Sequence, residues 1–232
     1  MTRLLVVQHL PHEHEGVLGE VLVTRDLDVV RCRAWAEPVP TTLEGMDALV
    51  VLGGDMNTDE AADWPHLREV RDLLRVALDE AVPTLGLCLG AQLLAEAGGG
   101  TVHHGTPEIG WIPIEQTDAG RADQVVSAVP DGTPFFNAHA DYVSLPPGAT
   151  LLSRSADTDV HAFRLSAALG LQHHPEIDAS FVAGYVEAPG VARYLGANGW
   201  TPEELVSEAR RRNAAHRAAG QALFEAWVDS IG

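Results

Sequence analysis

The stretch Thr84-Leu85-Gly86-Leu87-Cys88-Leu89-Gly90-Ala91-Gln92 decides the fold. Thr84–Leu87 reads as a short apolar strand. Residues 91–97 read as a helix, stopped by Gly98-Gly99-Gly100. The Gly-x-Cys-x-Gly between them is the cysteine form of the Gly-x-Ser-x-Gly elbow. A tight strand-to-helix turn forces its central residue into a strained backbone conformation and lifts its side chain above the sheet. Glycines on either side remove Cβ atoms that would collide. The helix N-terminus favours a thiolate at Cys88, and the Leu89 N–H is aimed where an oxyanion would form. The alternative for the same residues is a buried, inert cysteine at a strand end.

Further apolar runs stand at residues 4–7, 28–32 and 48–52, the last ending at Gly53-Gly54. Short unbroken apolar strands between helical segments predict a largely parallel sheet covered on both faces. After Asp63, Pro65 suits a first helical turn, and Leu67, Val70, Leu74, Ala77 and Leu78 recur at helical spacing. Residues 101–172 read as many turns and short strands, clearest at Leu151-Leu152 and at 169–172. Thr201-Pro202-Glu203-Glu204 is a capping box with Pro at the first helical position, opening a helix that runs to about Trp227. The Arg210-Arg211-Arg212 run reads as a solvated face. With no linker, repeat or composition break, residues 1–232 read as one domain, with a core over about 1–187 and a helical extension over about 189–230.

Composition narrows the chemistry. The chain has 232 residues and a net charge of -18, from 15 basic and 33 acidic residues. Such acidity argues against nucleic acid and anionic membranes as partners. Every basic residue is Arg, so Schiff-base lysines, pyridoxal phosphate attachment and a phosphate-loop lysine are excluded. Cys32 and Cys88 are the two cysteines, too few for a disulfide framework or a zinc-ligand set, which fits a reducing, cytoplasmic setting. Cys32 reads as a core or surface thiol. The apolar start at 4–7 is too short for a signal peptide or a membrane span.

A nucleophilic cysteine needs an imidazole and an orienting carboxylate. Gly170-Leu171-Gln172-His173-His174-Pro175-Glu176 supplies both, with Pro175 stiffening the turn so that His174 and Glu176 share one side. Alone, the same residues also fit an ordinary polar surface loop. Eleven histidines raise the question of a metal, but no block has a recognised ligand spacing, and none is expected. His9, His12 and His14, like His103-His104, read as solvated loop residues; the first group lies at a strand end, where a part in covering an active site is the alternative.

Together, Cys88 in its elbow and His-Pro-Glu some eighty residues later resemble the class I (triad) glutamine amidotransferases, and more closely the stand-alone GMP-synthase-like members. The resemblance covers roughly residues 45–178. It includes Leu52-Gly53-Gly54, Asp59-Glu60, Trp64-Pro65, Glu108-Ile109-Gly110-Trp111, Ala138-His139-Ala140-Asp141 and His173-His174-Pro175-Glu176. It implies an α/β fold with a mixed, mainly parallel central sheet flanked by helices. It also implies hydrolysis of the glutamine side-chain amide through a γ-glutamyl thioester on Cys88, with His174 as base and Glu176 as its orienter. The oxyanion would lie between the N–H groups of Gly54 and Leu89, and Gly53, Gln92, His139 and Ala140 would match substrate-binding positions. No cofactor is implied. The partners implied are a small molecule, glutamine or a γ-glutamyl compound, and a separate synthase subunit that accepts the ammonia. Two departures stand out: Asp55 follows Gly54 where the family usually has Pro, and Ala138-His139-Ala140-Asp141 replaces Ser-His-Gly-Asp. The second keeps open a different γ-glutamyl amide or conjugate as substrate. A non-catalytic regulatory subunit is the remaining alternative.

Overall fold

The computed structural model describes residues 1–188 and 191–231. Residues 189, 190 and 232, which the predicted domain and its extension include, lie outside them. The elements run β1 (Arg3–Gln8), α1 (Gly16–Thr24), β2 (Asp28–Arg33), β3 (Ala48–Val51), α2 (His66–Asp79), β4 (Thr84–Leu87), α3 (Leu89–Ala97), β5 (Val102–Pro113), β6 (Glu115–Gln116), α4 (Asp118–Ala122), β7 (Pro134–Val143), β8 (Thr150–Arg154), β9 (Ala162–Leu165), β10 (Ala168–Leu171), α5 (Ala179–Tyr185), α6 (Val191–Ala197) and α7 (Pro202–Asp229).

Eight strands form the central sheet in the order β2-β1-β3-β4-β10-β9-β8-β6. The first five are mutually parallel, and β9, β8 and β6 continue the sheet antiparallel. The expected mixed, mainly parallel sheet flanked by helices is what forms. Alternation along the strands explains why both faces are covered. Leu5, Val7, Leu49 and Val51 point into a core shared with α2 and α3. Leu4, Val6, Ala48 and Val50 point the other way, into a core shared with α1 and α7. The apolar stripe expected after Asp63 becomes the buried side of α2, with Pro65 at its N-cap position.

Residues 101–172 hold more strand than expected. β5 and β7, of 12 and 10 residues, pair antiparallel as a separate two-stranded layer. Their length was hidden because β5 carries His103-His104-Gly105-Thr106-Pro107, which reads as a turn. The register shifts between His104 and Glu108, so the irregular residues sit inside a continuous ladder. α3 also starts at Leu89 rather than at 91, immediately after Cys88.

The capping box opens α7 as its residues predict. The Glu204 N–H donates to Thr201 Oγ1 at 3.2 Å, and the Thr201 N–H donates to Glu204 Oε2 at 3.0 Å. This helix of 28 residues buries Leu223, Phe224 and Trp227 against the sheet. A Cβ at Gly220 would lie 2.1 Å from the Pro175 carbonyl oxygen, so α7 touches the His-Pro-Glu loop backbone to backbone. No described helix is long and apolar enough to cross a membrane.

Candidate active site

Cys88 caps α3 with φ 47° and ψ -106°, a conformation that a residue with a side chain adopts only under constraint. The constraint comes from both flanks. A Cβ at Gly86 would lie 2.7 Å from the Gly90 carbonyl oxygen, and one at Gly90 would lie 2.2 Å from that of Val51. Only glycine allows strand, turn and helix to close this tightly. The Cys88 N–H donates to the Leu171 carbonyl at 2.8 Å, tying the elbow to the end of β10.

Three residues beyond Leu171, His174 is buried against Cys88. Its N–H donates to the Phe136 carbonyl at 2.9 Å, joining this loop to β7. Nδ1 of the ring lies 2.6 Å from Glu176 Oε1, both groups being buried. Burial alone would push the ring towards the neutral form. The Glu176 carboxylate and the adjacent Cys88 sulfur outweigh it and hold His174 well above the ordinary histidine value. Behind it, His216 Nε2 donates to the His174 carbonyl at 3.0 Å, while its Nδ1 accepts from the Trp111 indole at 3.2 Å. Those two partners fix the His216 tautomer, and burial keeps its pKa at about 4.

Cys88 and His174 open onto one cleft of about 320 Å³. Gly53 sits against both: a Cβ there would be 3.3 Å from His174 Cε1 and 3.7 Å from Cys88 Cβ. Gly54 lies beside Leu89, whose Cδ2 would be 2.8 Å from an added Cβ, so the two expected oxyanion donors are neighbours. Gln92 and Ala140 line the cleft. The Gln92 amide is buried, 3.4 Å from both the Asp141 carbonyl and Gln172 Oε1. His139 also lines it, but its ring turns outward, with Nε2 3.1 Å from Glu108 Oε2. Asp55, at the position of the family's usual Pro, lies 3.0 Å from His12 Nε2.

Three groups escaped the sequence reading. Gln172 Nε2 is 3.6 Å from Cys88 Sγ. Glu13 lines the cleft with its side chain 10% exposed. Burial is the main cause that raises its pKa to about 7; Asp55 and Glu176 add to the rise, while His174 and His12 oppose it. Its place after β1, at the carboxyl edge of a parallel sheet, is the signal that could have found it. Glu108 is the third, buried between His139 and His161. The expectation of solvated loop histidines fails at His9. It is fully buried, its ring 5.4 Å from that of His66, because the chain dips below Gly54 on leaving β1. His12 and His14 remain exposed.

The model of the family "Glutamine amidotransferase class-I" matches residues 18–181. The chain is 39% identical over 103 residues to one of the separate subunits of the GMP synthase [glutamine-hydrolyzing] of Methanoregula boonei, covering 43% of this chain and 55% of that protein. It is 31% identical over 197 residues to the GMP synthase [glutamine-hydrolyzing] of Mycobacterium tuberculosis, covering 82% of this chain and 33% of that protein. The chain thus spans about a third to a half of the curated relatives it matches. A crystal structure of a glutamine amidotransferase from Thermotoga maritima superposes with a TM-score of 0.86 over 98% of both chains, at 27% identity. With an elbow cysteine and a buried His-Glu pair facing one cleft, and with this match over most of its length, the chain belongs to the class-I glutamine amidotransferase family.

Proposed function

We propose that this chain hydrolyses the side-chain amide of glutamine through a γ-glutamyl thioester on Cys88. The observation that supports this most is the convergence of Cys88, His174 and Glu176 on one cleft from two separate strand ends. Cys88 Sγ attacks the amide carbonyl carbon while His174 takes up the thiol proton. The carbonyl oxygen becomes an oxyanion held by the N–H groups of Gly54 and Leu89. The carbon–nitrogen bond breaks, and His174 returns the proton to the departing nitrogen, which leaves as ammonia. Water then adds to the thioester with His174 as base, releasing glutamate and restoring the thiol. Glu176 keeps the imidazole oriented and supports its charge.

The named relatives are GMP synthases, one of them a separate subunit. This supports delivery of the ammonia to an acceptor site on a partner synthase.

A second reading, hydrolysis of a γ-glutamyl conjugate of an amine, is favoured by Glu13 and Asp55 on the cleft wall, where they suit a leaving group that carries positive charge. The test is ammonia release from glutamine by the purified chain, with and without candidate synthase partners, beside amine release from γ-glutamyl amides. Cys88→Ala is the control. Turnover of glutamine that survives Cys88→Ala overturns the mechanism, and turnover of conjugates alone selects the second reading.

A further inference from the structure

Glu108 on β5, His139 on β7 and His161 at the start of β9 come from three strands and meet behind the cleft wall. Their side chains are 8%, 1% and 0% exposed. Nε2 of His139 and Nε2 of His161 lie 3.1 and 3.4 Å from the same carboxylate oxygen, Glu108 Oε2. Neither is aligned to donate a hydrogen bond to it, and neither has another partner among the described residues. His139 Nδ1 lies 3.1 Å from the Asp141 carbonyl oxygen, which can only accept. Nδ1 therefore carries the proton in the neutral ring, and Nε2 turns a lone pair towards the carboxylate. Two acceptors facing each other in a dry interior repel unless a cation lies between them.

The separations suit such a cation. A tetrahedral ion with bonds of about 2.0–2.1 Å to nitrogen and oxygen holds its ligand atoms about 3.3 Å apart. The carboxylate is itself supported: Thr158 Oγ1 donates to Oε2 at 2.7 Å and Ser155 Oγ to Oε1 at 3.3 Å. The His139 bond to Asp141 is the outer contact that orients a metal-bound imidazole. Two imidazole nitrogens with one carboxylate suit zinc and its neighbours, not magnesium or calcium, which take oxygen ligands.

We propose that Glu108, His139 and His161 bind a divalent cation of the zinc class, which ties the two-stranded layer to the central sheet behind the cleft. The cation acts as a clamp, because β5 and β7 otherwise meet β9 only through side chains at this point. It stands apart from the amide chemistry, and Cys88 takes no part in it.

The test uses the Cys88→Ala chain, so that the thiol cannot bind metal. After chelator treatment it is titrated with Co2+, followed by displacement with Zn2+ and by thermal unfolding with and without Zn2+. The expected result is one equivalent of Co2+ with the visible absorption of a tetrahedral site, lost on adding Zn2+, and a rise in Tm at saturation. His161→Gln and Glu108→Gln, each checked for native circular dichroism, should weaken binding at least tenfold. His12→Ala should leave it unchanged, although His12, Glu13 and Asp55 form another candidate group at the surface. No cobalt band and no Tm shift would overturn the proposal. So would binding that persists in both His161→Gln and Glu108→Gln, or binding abolished by His12→Ala.

Discussion

A Cβ on Gly90 would lie 2.2 Å from the carbonyl oxygen of Val51, so helix α3 and strand β3 meet backbone to backbone directly behind Cys88. The obstacle is main chain, which cannot swing aside. Gly90→Ala should therefore cost about 1–3 kcal/mol of stability and displace the elbow, lowering amide hydrolysis more than it lowers Tm. Gly184→Ala is the matched control: it lies in α5 with nothing within 4 Å of the added methyl, so it should leave stability unchanged or slightly raised. Thermal melts and glutaminase assays on both variants decide the point, and equal behaviour of the two would remove the steric argument.

Glu176 sets both the direction and the charge of His174. Glu176→Gln keeps the shape and removes the charge, so the His174 pKa should fall from its raised value. Hydrolysis should drop by about two to four orders of magnitude. The alkaline limb of the rate profile should move to lower pH, because the protonated ring that serves the leaving nitrogen is lost sooner. The rate of Cys88 alkylation against pH gives a second readout. An unmoved profile with a lower rate would mean that Glu176 acts by packing alone.

Much of this site was legible in sequence because its chemistry is contiguous. The glycines that shape the elbow flank Cys88 directly, and His174 and Glu176 are separated only by Pro175. The strands at 4–7 and 48–52 were legible because burial on both faces leaves unbroken apolar runs. Assemblies built from distant residues were not. Glu108, His139 and His161 come from three strands, and nothing in their spacing marks them as neighbours. The direction of the His139 ring was equally hidden, since alternation along β7 tells which face a residue takes but not which partner it finds there.

Glu13 is a carboxyl held near neutrality at the mouth of the site. Its folded pKa, about 7, lies above the ordinary value of 4.5. A proton bound more tightly in the folded state stabilises at low pH, and that stability is lost as pH rises from 4.5 through 7. The groups facing it are His12, Asp55, His174 and Glu176. Glu13→Gln supplies a permanently neutral isostere. Its Tm should match the parent at pH 5 and exceed it at pH 8. A variant that gains equally at both pH values would show that the carboxylate charge is not the cause.

His173 carries the opposite sign. It is 2% exposed, stacks on Phe135 with ring centroids 4.7 Å apart, and neither ring nitrogen has a hydrogen-bond partner among the described residues. Burial first, then the neighbouring His161, His174, His216 and His139, press its pKa well below 6.5. A neutral buried imidazole stabilises the fold above the unfolded pKa, and that stability is lost as pH falls below 6.5. His173→Phe keeps a flat ring against Phe135 and has nothing to protonate. Its advantage over the parent should be small at pH 7.5 and should grow steadily towards pH 5. His9 and His216, also buried and neutral, remain in both proteins, so their acid destabilisation cancels in the difference. Denaturant melts at the two pH values measure it directly, and a difference that stays constant with pH would mean that His173 is already paired or charged in the folded chain.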